Sequence, residues 1–96
     1  MCVLDRVREK REQVYQCADR HKIDKVYVFG SCARKEERED SDIDFLVEFR
    51  PHASLLDQVH MRDDLQSLFG RTIDIVSKRG LSPYIGPRIL KEAVPV

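Results

Sequence analysis

Most of the architecture can be inferred from residues 41–49, which read Ser-Asp-Ile-Asp-Phe-Leu-Val-Glu-Phe. Side chains alternate between the two faces of a strand, so the apolar residues at every second position from Ile43 to Phe49 predict a buried face. The opposite face then carries Asp42 and Asp44, whose backbones are about 6.6 Å apart at about 3.3 Å per residue. Aspartate is a poor strand residue and two like charges repel, so the pair needs a compensating partner. A divalent cation such as Mg²⁺, which prefers oxygen ligands, provides that partner.

A further strand with an aspartate is predicted at residues 72–76, where Ile73 and Ile75 share one face and Asp74 lies on the other. If this strand neighbours the previous one, Asp74 lies about 4.8 Å across the sheet from it. Three carboxylates on one face can hold two metal ions about 3.5–4 Å apart, which is the geometry for in-line displacement at phosphorus. An isolated Asp-x-Asp is usually a solvated strand end, so the prediction depends on a second motif nearby.

That second motif is a glycine-serine turn after a strand predicted at residues 25–29. Gly30 permits close approach of the backbone to a ligand, and Ser31 is expected to cap a short helix through about Glu37. Such a turn presents N–H groups and a positive helix end to an anion, and Arg34 can reach the same anion with its guanidinium. The turn lies 11 residues before the first aspartate of the pair, so one strand-helix-strand unit carries both motifs.

The remaining elements predict helices around these strands. An amphipathic helix is expected from Leu4 to about His21, and a second helix from a capping residue at Ser54 to a stop at Gly70. A C-terminal helical segment is expected from Ser82-Pro83, broken or restarted at Gly86-Pro87. Strands alternating with helices predict one α/β (α+β) domain over residues 1–96, with helices packed mainly on one face of a small sheet.

Composition excludes several other classes of protein. Lys plus Arg and Asp plus Glu both number 17 in the 96 residues, so no global charge attracts a nucleic acid or a membrane, and we expect neither as a partner. No apolar run approaches the ~20 residues that span a bilayer, and the N-terminus lacks the pattern of a signal peptide. The three cysteines are an odd number without a close pair, which argues against a disulfide scaffold and predicts a cytoplasmic protein.

Together these motifs resemble the minimal nucleotidyltransferases of the DNA polymerase beta-like superfamily. The resemblance covers nearly the whole chain and rests on Gly30-Ser31-Cys32-Ala33-Arg34, Ser41-Asp42-Ile43-Asp44-Phe45-Leu46-Val47 and Ile73-Asp74-Ile75-Val76. It implies a mixed sheet flanked by helices and the transfer of a nucleotidyl group from a nucleoside triphosphate to a hydroxyl.

The resemblance also implies roles for individual residues. Gly30 and Ser31 would hold the triphosphate of ATP, while Asp42 and Asp44 would bind the metal, with two Mg²⁺ ions expected and Mn²⁺ as a substitute. Asp74 would complete this catalytic and metal site and could take the proton from the attacking hydroxyl. Small members of the family resemble the antitoxin half of a toxin–antitoxin pair. In such a pair, the resemblance implies, a tyrosine of a HEPN ribonuclease toxin is adenylylated.

One position departs from the family pattern, and two other functions stay open. Many relatives carry Gly where this chain has Lys35, which either crowds the turn or adds a phosphate contact. One alternative function is a non-catalytic module that neutralises a toxin by binding it. The other is nucleotidyl transfer to a small molecule, such as an aminoglycoside, or to an RNA end. Because 96 residues leave little room for an acceptor pocket, we expect a partner protein or a homo-oligomer to complete the site.

Overall fold

The computed structural model describes residues 3–36 and 42–96. The helices are α1 (Val3–Glu9), α2 (Arg11–Arg20), α3 (Leu55–Phe69) and α4 (Gly86–Glu92). The strands are β1 (Ile23–Phe29), β2 (Ile43–Phe49), β3 (Ile73–Ser77) and β4 (Val94–Pro95), and a single turn of 3₁₀ helix follows β3 at Lys78–Gly80. Within these ranges, no helix has both the length and the apolar composition that a bilayer span requires.

The four strands form one mixed sheet in the order β3-β2-β1-β4. Strand β1 is antiparallel to both β2 and β4, whereas β2 and β3 run parallel because α3 connects them. In this register Asp44 of β2 lies opposite Phe29 on one side and Asp74 on the other. The two predicted aspartate-bearing strands are therefore neighbours in the sheet.

Helices α1, α2 and α3 pack on one face of the sheet, as predicted. Their buried side chains and those of the strands form the main core. It includes Leu4, Val7, Val14, Ala18, Val26, Val28, Ile43, Phe45, Val47, Met61, Leu65, Phe69, Ile73 and Ile75. Burial of a side chain of this kind contributes about 1.5–3 kcal/mol, so this layer provides most of the folding free energy.

The opposite face of the sheet is only partly covered. Leu46 lies on that face, in register with Tyr27 of β1, and is nevertheless fully buried. Beside it, Glu48 accepts hydrogen bonds from the Tyr27 hydroxyl at 3.0 Å and from Lys78 Nζ at 3.2 Å. The 3₁₀ turn therefore lies close to this end of the face, while the other end leaves Asp74 exposed.

The single helix predicted over residues 4–21 is two helices, which corrects the sequence analysis. The break falls at Lys10, whose backbone N–H is shared between the carbonyls of Arg6 and Val7 at 3.2 Å each. The Lys10 side chain reaches across to α3 and donates to the Leu68 carbonyl at 3.2 Å. Because this contact is tertiary, the helical periodicity of the segment does not reveal the break.

The short helix expected after Ser31 does not form in the described residues. Residues 31–35 make successive turns, with Arg34 N–H donating to the Gly30 carbonyl at 3.1 Å and Glu36 N–H to the Ser31 carbonyl at 2.9 Å. Lys35 has φ 60°, a left-handed conformation that cannot continue a right-handed helix. The rest of the predicted helix, at Glu37, lies outside the described residues.

The predicted boundaries of α3 are confirmed. Ser54 precedes the helix and its N–H donates to Asp57 Oδ2 at 2.8 Å, while Gly70 ends it with φ 65° and an N–H bond to Gln66. In the C-terminal segment no helix begins at Ser82-Pro83, which corrects that part of the prediction, whereas Gly86-Pro87 does start a helix, α4. Proline suits the first turn of a helix, where its missing N–H has no helical acceptor.

Two glutamines of α3 bond to the edge strand β3. Gln58 Nε2 donates to the Ile75 carbonyl at 2.8 Å, and Gln66 Oε1 accepts the Ile73 N–H at 3.3 Å. Both backbone groups belong to alternate residues of β3 and face away from β2, since β3 is the last strand of the sheet. Strand β4, which the sequence did not predict, pairs with β1 at the opposite side of the sheet.

Candidate active site

Three carboxylates meet on the partly open face of the sheet. Asp44 and Asp74 are direct partners across the parallel β2–β3 pair, so their side chains point to the same face at neighbouring-strand spacing, about 4.8 Å. Asp42 precedes β2 by one residue and is exposed, as is Asp74, whereas Asp44 is half-buried. The structure thus places Asp44 beside Asp74, with Asp42 near enough for its charge to act on Asp44.

The electrostatics of Asp44 reflect this crowding. Burial raises the pKa of its carboxyl, and the negative charges of Asp74 and Asp42 raise that pKa further. The guanidinium of Arg34 acts in the opposite direction and lowers the pKa of Asp44. A half-buried carboxylate with two acidic neighbours is a position where a cation would be stabilised.

Gly30 lies directly against the central carboxylate. It ends β1 in a left-handed conformation, φ 74°, and a Cβ atom at this position would be 2.5 Å from Asp44 Oδ2. Real Cβ atoms essentially never approach that closely, so a side chain here would displace the carboxylate. The sequence predicted a glycine for approach to a phosphate, and the structure adds that Asp44 also requires the space.

Arg34 lies at the end of the same turn and is held by two glutamates. Its Nε donates to Glu36 Oε2 at 3.1 Å, and its Nη1 donates to Glu92 Oε2 at 3.0 Å. Glu92 is the last residue of α4, 58 residues further along the chain. Sequence reasoning missed Glu92, because no local pattern relates it to the turn.

Two neighbouring residues complete the turn. Lys35 is exposed, and its left-handed backbone is a conformation that glycine adopts without strain. Cys32 is fully buried, and its thiol donates to the Asp42 carbonyl at 3.6 Å. Cys32 is therefore a packed residue of the turn. Ser31 is half-buried at the start of the turn, beside Gly30.

The carboxylates suit a metal ion that is shared with a substrate. In residues 3–36 and 42–96, no three His, Cys, Asp or Glu side chains already surround a common ion position. Mg²⁺ does not need such a cage, because it is usually bound by one or two carboxylates together with substrate phosphates and water. Asp42 and Asp44 can provide that number of protein oxygens, and the chemistry of the donor set therefore fits Mg²⁺.

A hollow adjoins the third carboxylate. It lies between α3 and β3, has a volume of about 250 Å³ and is lined by Asp74, Leu55, Gln58 and Arg62 among others. Gly30 ends β1 and Asp74 lies on β3, so they flank Asp44 from opposite sides. The site therefore has a turn on one side of the central carboxylate and an open hollow on the other.

Comparisons with known proteins agree with this arrangement. The nucleotidyltransferase domain family model matches residues 8–96. Protein adenylyltransferase MntA of Thermococcus cleftensis is 38% identical over 78 residues, which are 81% of this chain and 79% of that protein. The solved structure of a candidate minimal nucleotidyltransferase is 45% identical, with a TM-score of 0.87 over 100% of this chain and 97% of that one.

A more distant solved structure has the same fold. It contains an MNT antitoxin in complex with a tri-AMPylated HEPN toxin from Shewanella oneidensis. One of its chains superimposes with a TM-score of 0.68 at 17% identity, covering 92% of this chain and 69% of that one. At this identity the likeness concerns the fold alone: an α+β arrangement with a four-stranded mixed sheet.

Proposed function

Since this chain belongs to the nucleotidyltransferase domain family, we propose that it transfers AMP from ATP to a hydroxyl group. Asp42, Asp44 and Asp74 are its catalytic residues and metal ligands in this proposal. The observation that carries it is the pairing of Asp44 with Asp74 on one face, with Gly30 packed against the Asp44 carboxylate. Chain positions that are distant in sequence thereby form one site beside an anion-binding turn.

The nucleotide binds on the turn side of the central carboxylate. Gly30 leaves room there for the triphosphate, and Ser31 can donate a hydrogen bond from its hydroxyl. Arg34 offers a positive charge, which also lowers the pKa of Asp44. Asp42 and Asp44 would hold Mg²⁺, with two ions expected and Mn²⁺ as a substitute. The metal would supply charge neutralisation at the phosphate oxygens.

The acceptor approaches from the side of β3. Asp74 is exposed there and takes the proton as the acceptor oxygen bonds to the α-phosphorus; the bond to the bridging oxygen breaks and pyrophosphate leaves. Because the acceptor oxygen attacks the phosphorus directly, no covalent intermediate on this chain is required. Catalysis then depends on positioning and on stabilising negative charge.

The acceptor we propose is a tyrosine of a HEPN-type toxin, so that the protein acts as its antitoxin. The hollow beside Asp74, about 250 Å³, is smaller than the ~300–1,000 Å³ of typical small-molecule pockets. A single side chain that projects from a partner protein suits such a small site better than a free small molecule. Support also comes from the named activity of MntA and from the AMPylated toxin in the structural neighbour.

Two further features support a protein partner in the cytoplasm. Leu55 and Leu56, which are consecutive at the start of α3, are 75% and 65% exposed, and adjacent exposed apolar side chains are typical of surfaces that bind other proteins. The side chains of Cys17 and Cys32 are both buried thiols, which suits a reducing compartment.

The test is transfer of label from α-labelled ATP to a co-purified HEPN partner in the presence of Mg²⁺. We expect the partner to gain the mass of one AMP for each modified tyrosine. Changing Asp42→Asn together with Asp44→Asn should lower the rate about 100-fold or more, because the stabilisation of phosphate charge is lost. Asp24→Asn, at an exposed aspartate of β1, is the matched control and should transfer normally.

Two results would refute the proposed reaction. One is unchanged transfer by the double variant, which would mean that the carboxylates do not take part. The other is a wild-type protein that neutralises its partner without changing the partner's mass, which would make it a binding module. Mass spectrometry of small hydroxyl compounds and RNA ends, incubated in parallel, identifies any other acceptor.

A further inference from the structure

Glu92 occupies a position in α4 that local rules disfavour. It is the last residue of a seven-residue helix, where the negative end of the helix dipole repels an acidic side chain. Two arginines compensate for this. Arg34 Nη1 is 3.0 Å from Glu92 Oε2, and Arg88 Nε is 3.6 Å from Glu92 Oε1. Glu92 is thus an acidic residue at a position unfavourable for the helix, and its carboxylate contacts one arginine of the turn and one of α4. This arrangement points to a role beyond helix stability.

The backbone around Glu92 fixes its distance from the turn. Immediately after it, β4 pairs with β1, where Val94 lies opposite Val28, and the Val96 N–H donates to the Val26 carbonyl at 3.2 Å. Strand β1 ends at Phe29, and the turn that carries Arg34 begins at Gly30. One strand therefore anchors both partners of the ion pair.

The contact between Glu92 and Arg34 is also better shielded than the other glutamate contact of Arg34. The side chain of Glu92 is 23% exposed, compared with 67% for Glu36. A partly buried pair is less screened by solvent and salt than a fully exposed one. Arg34 has five N–H groups, and these two bonds use two of them, so others are left to meet an anion.

We infer that Glu92 is a positioning residue for ATP, which acts by holding the Arg34 guanidinium at the edge of the carboxylate site. This inference rests on the proposed function. Without Glu92 the long Arg34 side chain would regain rotamer freedom, and that freedom would have to be lost again when the triphosphate binds. The C-terminal segment of the chain thereby takes part in nucleotide binding, although Glu92 itself does not touch the substrate.

The test compares the affinity for a non-hydrolysable ATP analogue with Mg²⁺, by calorimetry, and the kcat and KM of transfer. We expect Glu92→Ala to weaken nucleotide affinity and to raise KM for ATP about 5-fold, with kcat changed less than about 2-fold. Arg88→Gln removes the other partner of Glu92 and is the matched control, since Arg88 is 81% exposed and its contact with Glu92, 3.6 Å, is longer than the 3.0 Å contact of Arg34. Its affinity should equal that of the wild type.

A double variant separates positioning from a general loss of stability. In an Arg34→Ala background, Glu92→Ala should change nucleotide affinity by less than about 2-fold, because the group that it positions is gone. Equal affinity of Glu92→Ala and the wild type, or a full loss that persists in the Arg34→Ala background, would overturn the role of Glu92 alone. A wild-type protein that binds no nucleotide would refute both this role and the proposed function.

Discussion

Replacing Gly30 by alanine is the sharpest perturbation of the site that the structure offers. The added Cβ would stand 2.5 Å from Asp44 Oδ2, and Gly30 has φ 74°. Two effects follow: the backbone is strained, because alanine disfavours the left-handed region, and the carboxylate is pushed away. The first effect changes stability, and the second changes the geometry of the site.

The two effects have different magnitudes. A left-handed alanine costs about 1–2 kcal/mol, and the smaller entropy of its unfolded chain returns about 0.4–1 kcal/mol. The net loss of unfolding free energy is then about 1 kcal/mol, which a domain of ordinary stability tolerates. To restore an ordinary contact, the Asp44 carboxylate has to move by about 1 Å, and a misplacement of that size can lower a catalytic rate about 100-fold.

Gly70 provides the matched control. It also has a positive φ, 65°, but a Cβ atom there would meet nothing within 4 Å. Gly70→Ala should therefore lose a similar unfolding free energy, measured by urea denaturation, and keep its rate of AMP transfer. Gly30→Ala should remain folded and lose about 100-fold in that rate. If the two variants had the same transfer rate, contact between Gly30 and Asp44 would be irrelevant to activity and our reasoning about the site would be wrong.

Two other predictions concern stability. The pKa of Asp44 is raised in the folded protein, so the folded state favours the protonated carboxyl. This contribution to the free energy of unfolding is fully present below the unfolded pKa of about 3.9, and it is lost as the pH rises through the folded pKa. In the absence of Mg²⁺, the urea midpoint of Asp44→Asn should therefore be higher than that of the wild type at pH 7, and the two midpoints should be equal near pH 4. A lower midpoint for Asp44→Asn at pH 7 would contradict this. Leu46→Ala should lower the unfolding free energy by about 2–5 kcal/mol, because the side chain is fully buried. Leu56→Ala, at a residue that is 65% exposed, should change the unfolding free energy by less than about 0.5 kcal/mol in the same denaturation assay. Equal losses for Leu46→Ala and Leu56→Ala would mean that the sheet face carrying Leu46 is not packed.

Local signals in the sequence predicted much of this structure. Alternation of apolar residues gave the bounds of β2, Ile43–Phe49, as the structure has them, and capping residues gave those of α3. Strand β4 was missed because two residues are too few for an alternating pattern. The break at Lys10 depends on a contact with α3, which periodicity within one segment cannot reveal.

The candidate site was likewise predicted from the sequence only in part. The common face of Asp44 and Asp74 follows from strand alternation once β2 and β3 are taken as neighbours. The turn after Gly30 was predicted as a helix, because the left-handed conformation of Lys35 is not apparent from residue type. Glu92 meets Arg34 only through the pairing of β4 with β1, so tertiary structure alone brings it to the site.

The hydrogen bonds from glutamine side chains to edge strand β3 limit how other molecules can bind at this edge of the sheet. Gln58 and Gln66 occupy the outward carbonyl of Ile75 and the outward N–H of Ile73. An unprotected edge strand invites a foreign strand to extend the sheet, and here those backbone positions are already taken. A molecule bound beside β3 would therefore be recognised mainly through side chains, and pairing of a second copy of the chain along this strand is disfavoured.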